Sequence, residues 1–275
     1  MASASASMAP SAWPRAKEKN MTEETATLYA VARGVATLTL NRPNNMNALS
    51  AELLDSLGEN IERAGADPEV RMMVLTNEGG TFCAGADLKS ANQRVPRYSL
   101  VQVLDMIQQS PKPVVARIAG HCMGGGVGLA AACDLSIAGD DVKLGFTEVR
   151  IGVAPAIISV VCLPKLRHAD AMELFLSGEK ITATRAAEIG LINYAVPAYL
   201  LDSRLAELID KLVRGGPNAL AACKQLVVRV PHMDRKAAFE WTAELSMGLF
   251  RAPEAADGIA AFRNRSPAPW VPADA

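Results

Sequence analysis

The chain lacks the features that would place it in several common protein classes. Its 275 residues hold five cysteines, an odd number, with no Cys-x-x-Cys pair. A disulfide framework and a zinc ribbon are therefore not expected, and a reducing, cytoplasmic setting is. Positive charge is not in excess, since the formal net charge is −1. A nucleic-acid partner usually needs a basic face, so none is expected. No apolar stretch is long enough for a membrane-crossing helix, so no membrane partner is expected either. Residues 1–20 are rich in Ala, Ser and Pro but have no hydrophobic stretch of the secretory kind. They read as a tail without fixed structure. Neither a solenoid-period repeat nor a Gly-x-Ser-x-Gly elbow is present. His168 and His232 stand alone without a partner at metal-ligand spacing, so no metal is expected. His121 and Cys122 are chain neighbours that a strand would turn to opposite faces, which argues against a nucleophile–base pair.

What the chain does have is enough apolar material for one sizeable core. Half of its residues are hydrophobic and its mean hydropathy is +0.13. Thr27–Val31 and Val35–Leu40 alternate around Arg33-Gly34 and read as a hairpin. Ser50 reads as an N-cap for a helix whose inner face is Leu53, Leu54, Leu57 and Ile61. Arg71–Thr76, Pro113–Ile118, Leu135–Ala138 and Lys143–Phe146 read as strands, and Gly124–Ala132 as a helix. From Ala156 onward the pattern is almost wholly helical, with Asp170–Leu176, Thr184–Ile189, Leu201–Leu212, Asn218–Val227 and Arg235–Phe250 separated by Gly and Pro. Strands with interleaved helices, followed by a helical end, predict an α/β core over 21–198 and a helical region over 199–275.

Two glycine-rich segments carry the chemistry. The first is Thr81-Phe82-Cys83-Ala84-Gly85-Ala86-Asp87-Leu88, and the second runs from Ile118 through Gly124-Gly125-Gly126 to Leu129. Each reads as lying between a strand and a helix, where main-chain N–H groups have no partner of their own. Two such groups aimed at one point would hold an oxyanion. A dinucleotide fingerprint would need a third glycine where Leu129 stands, and the segment sits mid-chain. Cys133 and Cys162 read as core, and Asp87 and Asp134 as helix caps.

These segments resemble the enoyl-CoA hydratase/isomerase (crotonase) superfamily from about Thr27 to Trp270. The resemblance includes Asn41-Arg42-Pro43-Asn44-Asn45-Met46-Asn47-Ala48-Leu49, Ala131-Ala132-Cys133-Asp134-Leu135, Phe146-Thr147-Glu148 and Ser177-Gly178-Glu179-Lys180-Ile181. It implies an α/β spiral of ββα turns with a helical C-terminal region for oligomerisation and CoA contact, assembled as a homotrimer or hexamer. It implies an acyl-CoA substrate and no separate cofactor, since coenzyme A arrives as part of the substrate. By resemblance, the oxyanion donors are the N–H groups of Ala86 and Gly125. Asn44, Asn45 and Met46 line the adenine end, while Ala84 and Ala86 flank the pantetheine. Asp87, Leu88, Lys89, Gly124, Gly128 and Arg265 complete the expected CoA and substrate contacts, with Lys89 and Arg265 toward the phosphates.

Family hydratases commonly carry two glutamates around the reacting water. The second matches Glu148, the expected acid/base; the first would fall on Gly128, which has no side chain. A subset of the family shares this glycine, including members similar to a methylglutaconyl-CoA type of hydratase. Hydration of a 2-enoyl-CoA is the leading expectation. Double-bond isomerisation, which needs one carboxylate, and acyl-CoA binding without turnover are the alternatives.

Overall fold

A computed structural model describes residues 25–89 and 94–272. The expected tail over residues 1–20 lies outside them. The chain opens with β1 (Thr27–Ala32) and β2 (Val35–Leu40), paired antiparallel as the alternation predicts. Arg33 and Gly34 turn between them at φ +51° and +75°, the left-handed values a two-residue hairpin needs. Helix α1 (Ala51–Ala66) follows, and the Ser50 hydroxyl accepts the Leu53 N–H at 3.3 Å as an N-cap.

Three ββα units come next. They are β3 (Met72–Asn77), β4 (Thr81–Cys83) and α2 (Leu100–Gln109); β5 (Val114–Ile118), β6 (His121–Met123) and α3 (Gly125–Ala132); and β7 (Leu135–Gly139), β8 (Lys143–Gly145) and α4 (Ala156–Cys162). The first strand of each unit joins a large sheet and the second joins a small one. β3, β5 and β7 lie parallel and adjacent in the former, and β4, β6 and β8 in the latter. This is the spiral that the resemblance implies.

The predominantly helical reading after Ala156 needs correction at two places. After α5 (His168–Ser177), β9 (Lys180–Thr182) closes the small sheet antiparallel to β8. After α6 (Ala183–Glu188), β10 (Tyr194–Val196) extends the large sheet beside β7. Three-residue strands are too short to display an alternation, so pairing rather than pattern defines them. α7 (Leu201–Val213), α8 (Pro217–Arg229), α9 (Arg235–Arg251) and α10 (Pro253–Asn264) complete the chain.

Both faces of the large sheet are covered. α1 through α6 bury one face in the main core, around Leu38, Leu57, Met73, Ile107 and Leu129. On the other face, Val35, Met72, Val74, Val115 and Ile137 meet Leu201, Leu205, Ile209 and Val213, a four-residue stripe along α7. Each fully buried side chain of this kind contributes about 1.5–3 kcal/mol of transfer free energy. α7 is thus packed on the sheet, whereas α9 buries no residue at all. An apolar cavity of about 500 Å³ lies among α8, α9, α10 and Trp270. No helix among the described residues is long and apolar enough to cross a membrane.

Candidate active site

The site is built from two peptide groups and one carboxyl. The first peptide joins Gly85 to Ala86. The loop after β2 docks on this segment, Ala84 N–H reaching Met46 O at 3.0 Å and Leu49 N–H reaching Gly85 O at 2.8 Å. In a trans peptide the carbonyl and N–H point opposite ways. With the Gly85 carbonyl committed to Leu49, the Ala86 N–H is directed away from the loop. Gly85 permits this by a φ of +88°, which breaks the strand's alternation.

The second peptide joins Gly124 to Gly125 at the start of α3. The Gly124 carbonyl accepts Val127 N–H at 2.8 Å and Gly128 N–H at 3.2 Å, so it points along the helix. By the same geometry the Gly125 N–H points out of the helix N-terminus, where the dipole is positive. The two peptides abut: a Cβ built on Gly85 would lie 3.2 Å from Gly125 N. Neither the Ala86 nor the Gly125 N–H has a hydrogen-bond acceptor among the described residues. One expectation is corrected here. Ala86 does not precede a helix, because α2 begins only at Leu100. Its N–H is freed by the kink at Gly85, and only Gly125 opens a helix.

Glu148 stands over the second of these peptides. It lies in a short 3₁₀ turn, Thr147–Ile151, between β8 and α4. The turn is anchored by Phe146, fully buried and 4.5 Å centroid to centroid from the Phe175 ring of α5. The carboxyl reaches back over Gly124, where a built Cβ would be 2.9 Å from Oε1 and 3.6 Å from Oε2. Gly124 has φ +51° and ψ −121° as well, a backbone that only glycine adopts without strain. Oε2 is buried and has no hydrogen-bond partner among the described residues. Burial raises the Glu148 carboxyl above its ordinary value, opposed in part by a backbone hydrogen bond at the same residue. Among the described residues, no group of three or more His, Cys, Asp or Glu is placed to hold a metal ion.

A freed pair of N–H groups beside a carboxyl with one unpartnered oxygen, on a spiral of ββα turns, has counterparts among known proteins. The profile of the enoyl-CoA hydratase/isomerase family matches residues 30–272. The chain belongs to that family. An enoyl-CoA hydratase of Mycobacterium tuberculosis is 31% identical over 238 residues, covering 83% of this chain and 90% of that one. The (E)-benzylidenesuccinyl-CoA hydratase of Thauera aromatica is 34% identical over 205 residues, covering 72% and 80%. The crystal structure of an enoyl-CoA hydratase from Mycobacterium smegmatis superposes with a TM-score of 0.83 at 31% identity, covering 90% of this chain and 99% of that one.

Within this enoyl-CoA hydratase/isomerase fold, most of the expected CoA contacts come together at one rim. Asn44 and Asn45 lie in a 3₁₀ turn closed by Met46 at φ +50°. The Asn45 side chain donates to Asp87 Oδ2 at 3.2 Å, and Asp87 Oδ1 accepts the Lys89 N–H at 3.0 Å. Asp87 is therefore a brace between two expected contact loops and not a helix cap, which corrects that reading. Ala84 is half-buried, while Ala86, Leu88 and Lys89 are exposed beside it. Arg265 lies elsewhere, exposed at the C-terminal end of α10. Among the described residues, no hydrogen bond or ion pair joins it to this rim.

Asp134 also differs from its expected role. It accepts the Val114 N–H at 2.7 Å and pairs with Lys224 at 2.8 Å, so it ties the start of β5 to α8 and caps no helix. Cys133 and Cys162 are buried as expected, their thiols pushed up to about 12 by desolvation and so inert as nucleophiles.

Three contributors had escaped the sequence reading. Asn47, fully buried, donates to Glu78 O at 3.0 Å and Thr81 O at 2.7 Å and accepts the Arg42 N–H at 2.7 Å. Leu49 covers Gly125, its Cδ1 being 2.5 Å from a built Cβ there. Ile158 of α4 covers Gly128. The Asn-x-Asn pattern of the loop was a signal for the first. Leu49 and Ile158 are ordinary apolar residues that no local pattern singles out.

Proposed function

We propose that the protein hydrates a 2-enoyl-CoA, with the thioester oxygen held by the Ala86 and Gly125 N–H groups and Glu148 as the only acid/base. As water adds at the β-carbon, electron density gathers on the thioester oxygen, where two preorganised donors stabilise it. One such donor is worth about 2.7–4 kcal/mol in comparable sites. The Glu148 carboxylate takes a proton from the water whose oxygen bonds to the β-carbon, and the same proton passes to the α-carbon. Glu148 ends the cycle as it began. Its raised pKa suits both halves of that transfer.

The observation that carries this reading is the carboxyl itself: half-buried, with Oε2 fully buried and without a partner among the described residues, and packed over the glycine that precedes the helix start. Replacing Glu148 by Gln is expected to lower hydration by roughly 10²–10⁴-fold while acyl-CoA affinity is kept. Full activity in that variant would reject the role. The empty backbone at Gly128 favours a second reading, isomerisation of a 3-enoyl-CoA by one carboxylate. Supplying the purified protein with 2-enoyl-CoA and 3-enoyl-CoA in separate assays, and identifying the product of each, decides between the two. Tight binding with no turnover of either would leave an acyl-CoA-binding protein.

A homotrimer or hexamer is proposed on the same footing. The aromatic side chains Phe239, Phe250 and Phe262 of α9 and α10 are all more than 60% exposed in the single chain. Assembly would also give Arg265 a neighbour to reach. The five free thiols suit a reducing cytoplasm.

A further inference from the structure

Gly124 caps α3 and Gly128 lies one turn into it, its N–H donating to the Gly124 carbonyl at 3.2 Å. Two different side chains cover these two glycines. The Glu148 carboxyl lies over Gly124, and Ile158 lies over Gly128, its Cγ2 only 2.3 Å from where a Cβ would stand. The space above position 128 is therefore taken, and taken by hydrocarbon. Ile158 is 2% exposed, whereas its neighbour Ile157 is 48% exposed and turned outward. A β-branched side chain on a helix has essentially one χ1 rotamer, so Ile158 cannot swing aside to make room. The wall next to the carboxyl is stiff as well as apolar.

We infer that Ile158 is the specificity-determining residue of this site: it fills the volume that position 128 leaves and limits the size of the acyl group carried beside Glu148. The inference rests on the reading that the acyl thioester lies between Ala86, Gly125 and Glu148. Positions 128 and 158 behave as one exchangeable volume. A methyl group added at 128 has to displace Ile158, and trimming Ile158 gives that space to a substituent on the β-carbon of the acyl group.

The test compares the parent with Ile158→Ala, Ile158→Val, Gly128→Ala and the double variant Gly128→Ala/Ile158→Ala. Each is assayed with 2-butenoyl-CoA and with 3-methyl-2-butenoyl-CoA. Ile158→Ala is expected to raise the ratio of kcat/KM, branched over unbranched, by roughly 10–200-fold, the range a methylene-sized change makes in an apolar pocket. Ile158→Val should raise it less, and it carries the test if Ile158→Ala does not fold. Gly128→Ala should lose activity on both substrates and regain it in the double variant, the signature of coupled neighbours. A ratio unchanged within roughly twofold, in Ile158 variants that fold and melt as the parent does, overturns the inference. If the parent turns over neither substrate, the hydration reading falls. The affinities of the parent and Ile158→Ala for butyryl-CoA and isovaleryl-CoA, measured by calorimetry, then decide the inference alone. An unchanged preference would overturn it.

Discussion

The two glycine segments reach the same result by different means. At Gly124-Gly125, secondary structure does the work: a helix starts, and its first N–H groups have no intrahelical acceptor. At Gly85-Ala86 there is no helix. A docked loop claims the Gly85 carbonyl, and the neighbouring N–H is freed as a by-product. The first donor is set by a rigid element, and the second by how well the loop Arg42–Leu49 is held. That loop depends on side-chain bonds from Asn47 and on the Asn45–Asp87 contact. Perturbing the helix side should therefore damage the transition state, whereas perturbing the loop side should loosen the protein and its ligand together.

Gly124→Ala is the severest way to break the helix side. The new methyl meets the Glu148 carboxyl at 2.9 Å and the backbone is one that alanine adopts only under strain. We expect kcat to fall by roughly 10²–10³-fold, as for loss of one oxyanion donor, with about 1–3 kcal/mol lost in denaturant titration. Asn47→Ala attacks the loop side. It removes the donor to the Glu78 and Thr81 carbonyls and an acceptor of the Arg42 N–H, and should cost about 1–3 kcal/mol by chemical denaturation. Its KM should rise more than its kcat falls; the reverse split would mean that the loop positions the donor more rigidly than its bonding suggests. Asn45→Ala removes a single half-exposed bond to Asp87 and should cost about 0.5–1.5 kcal/mol, read as a lower melting temperature.

Glu148 supplies a pH-dependent version of the same comparison. Its folded-state pKa is raised by burial. The proton is held more tightly in the folded chain, so this group's contribution to stability is complete below the unfolded pKa and is lost as pH rises through the folded one. Glu148→Gln removes that loss. The melting temperature of the variant relative to the parent should rise as pH increases above the ordinary glutamate value of 4.5 and level off once the folded-state carboxyl is ionised. In kcat/KM, the acidic limb of the parent should lie above the ordinary glutamate value of 4.5, since the base form is needed.

Much of the site was legible in the chain because its chemistry is local. Gly124-Gly125 is readable as a helix start from the glycines and the Ala-rich run behind them, and Ser50 as a cap from its place before an amphipathic stretch. Glu148 is singled out by the resemblance, as the match to the second of the family's two glutamates. The hairpin turn and the stripe of α7 follow from periodicity. The misreadings have the opposite character. β9 and β10 are strands because β8 and β7 offer them partners. Asp87 and Asp134 read as caps from their nearness in sequence to helix ends. Their actual partners lie 42 residues away at Asn45, and 20 and 90 residues away at Val114 and Lys224.

The residues alone determined that this is a member of the enoyl-CoA hydratase/isomerase family, with two runs of glycine that free main-chain donors and one acid in the right order behind them. Backbone conformation and chain order are local properties, and a sequence carries those directly. Only the folded molecule decided that the Gly85 and Gly125 peptides abut, that one oxygen of the acid is left without a partner among the described residues over Gly124, and that an isoleucine from another helix occupies the place above Gly128. Those depend on which surfaces of distant segments come within van der Waals reach, and close packing settles that for the whole chain at once.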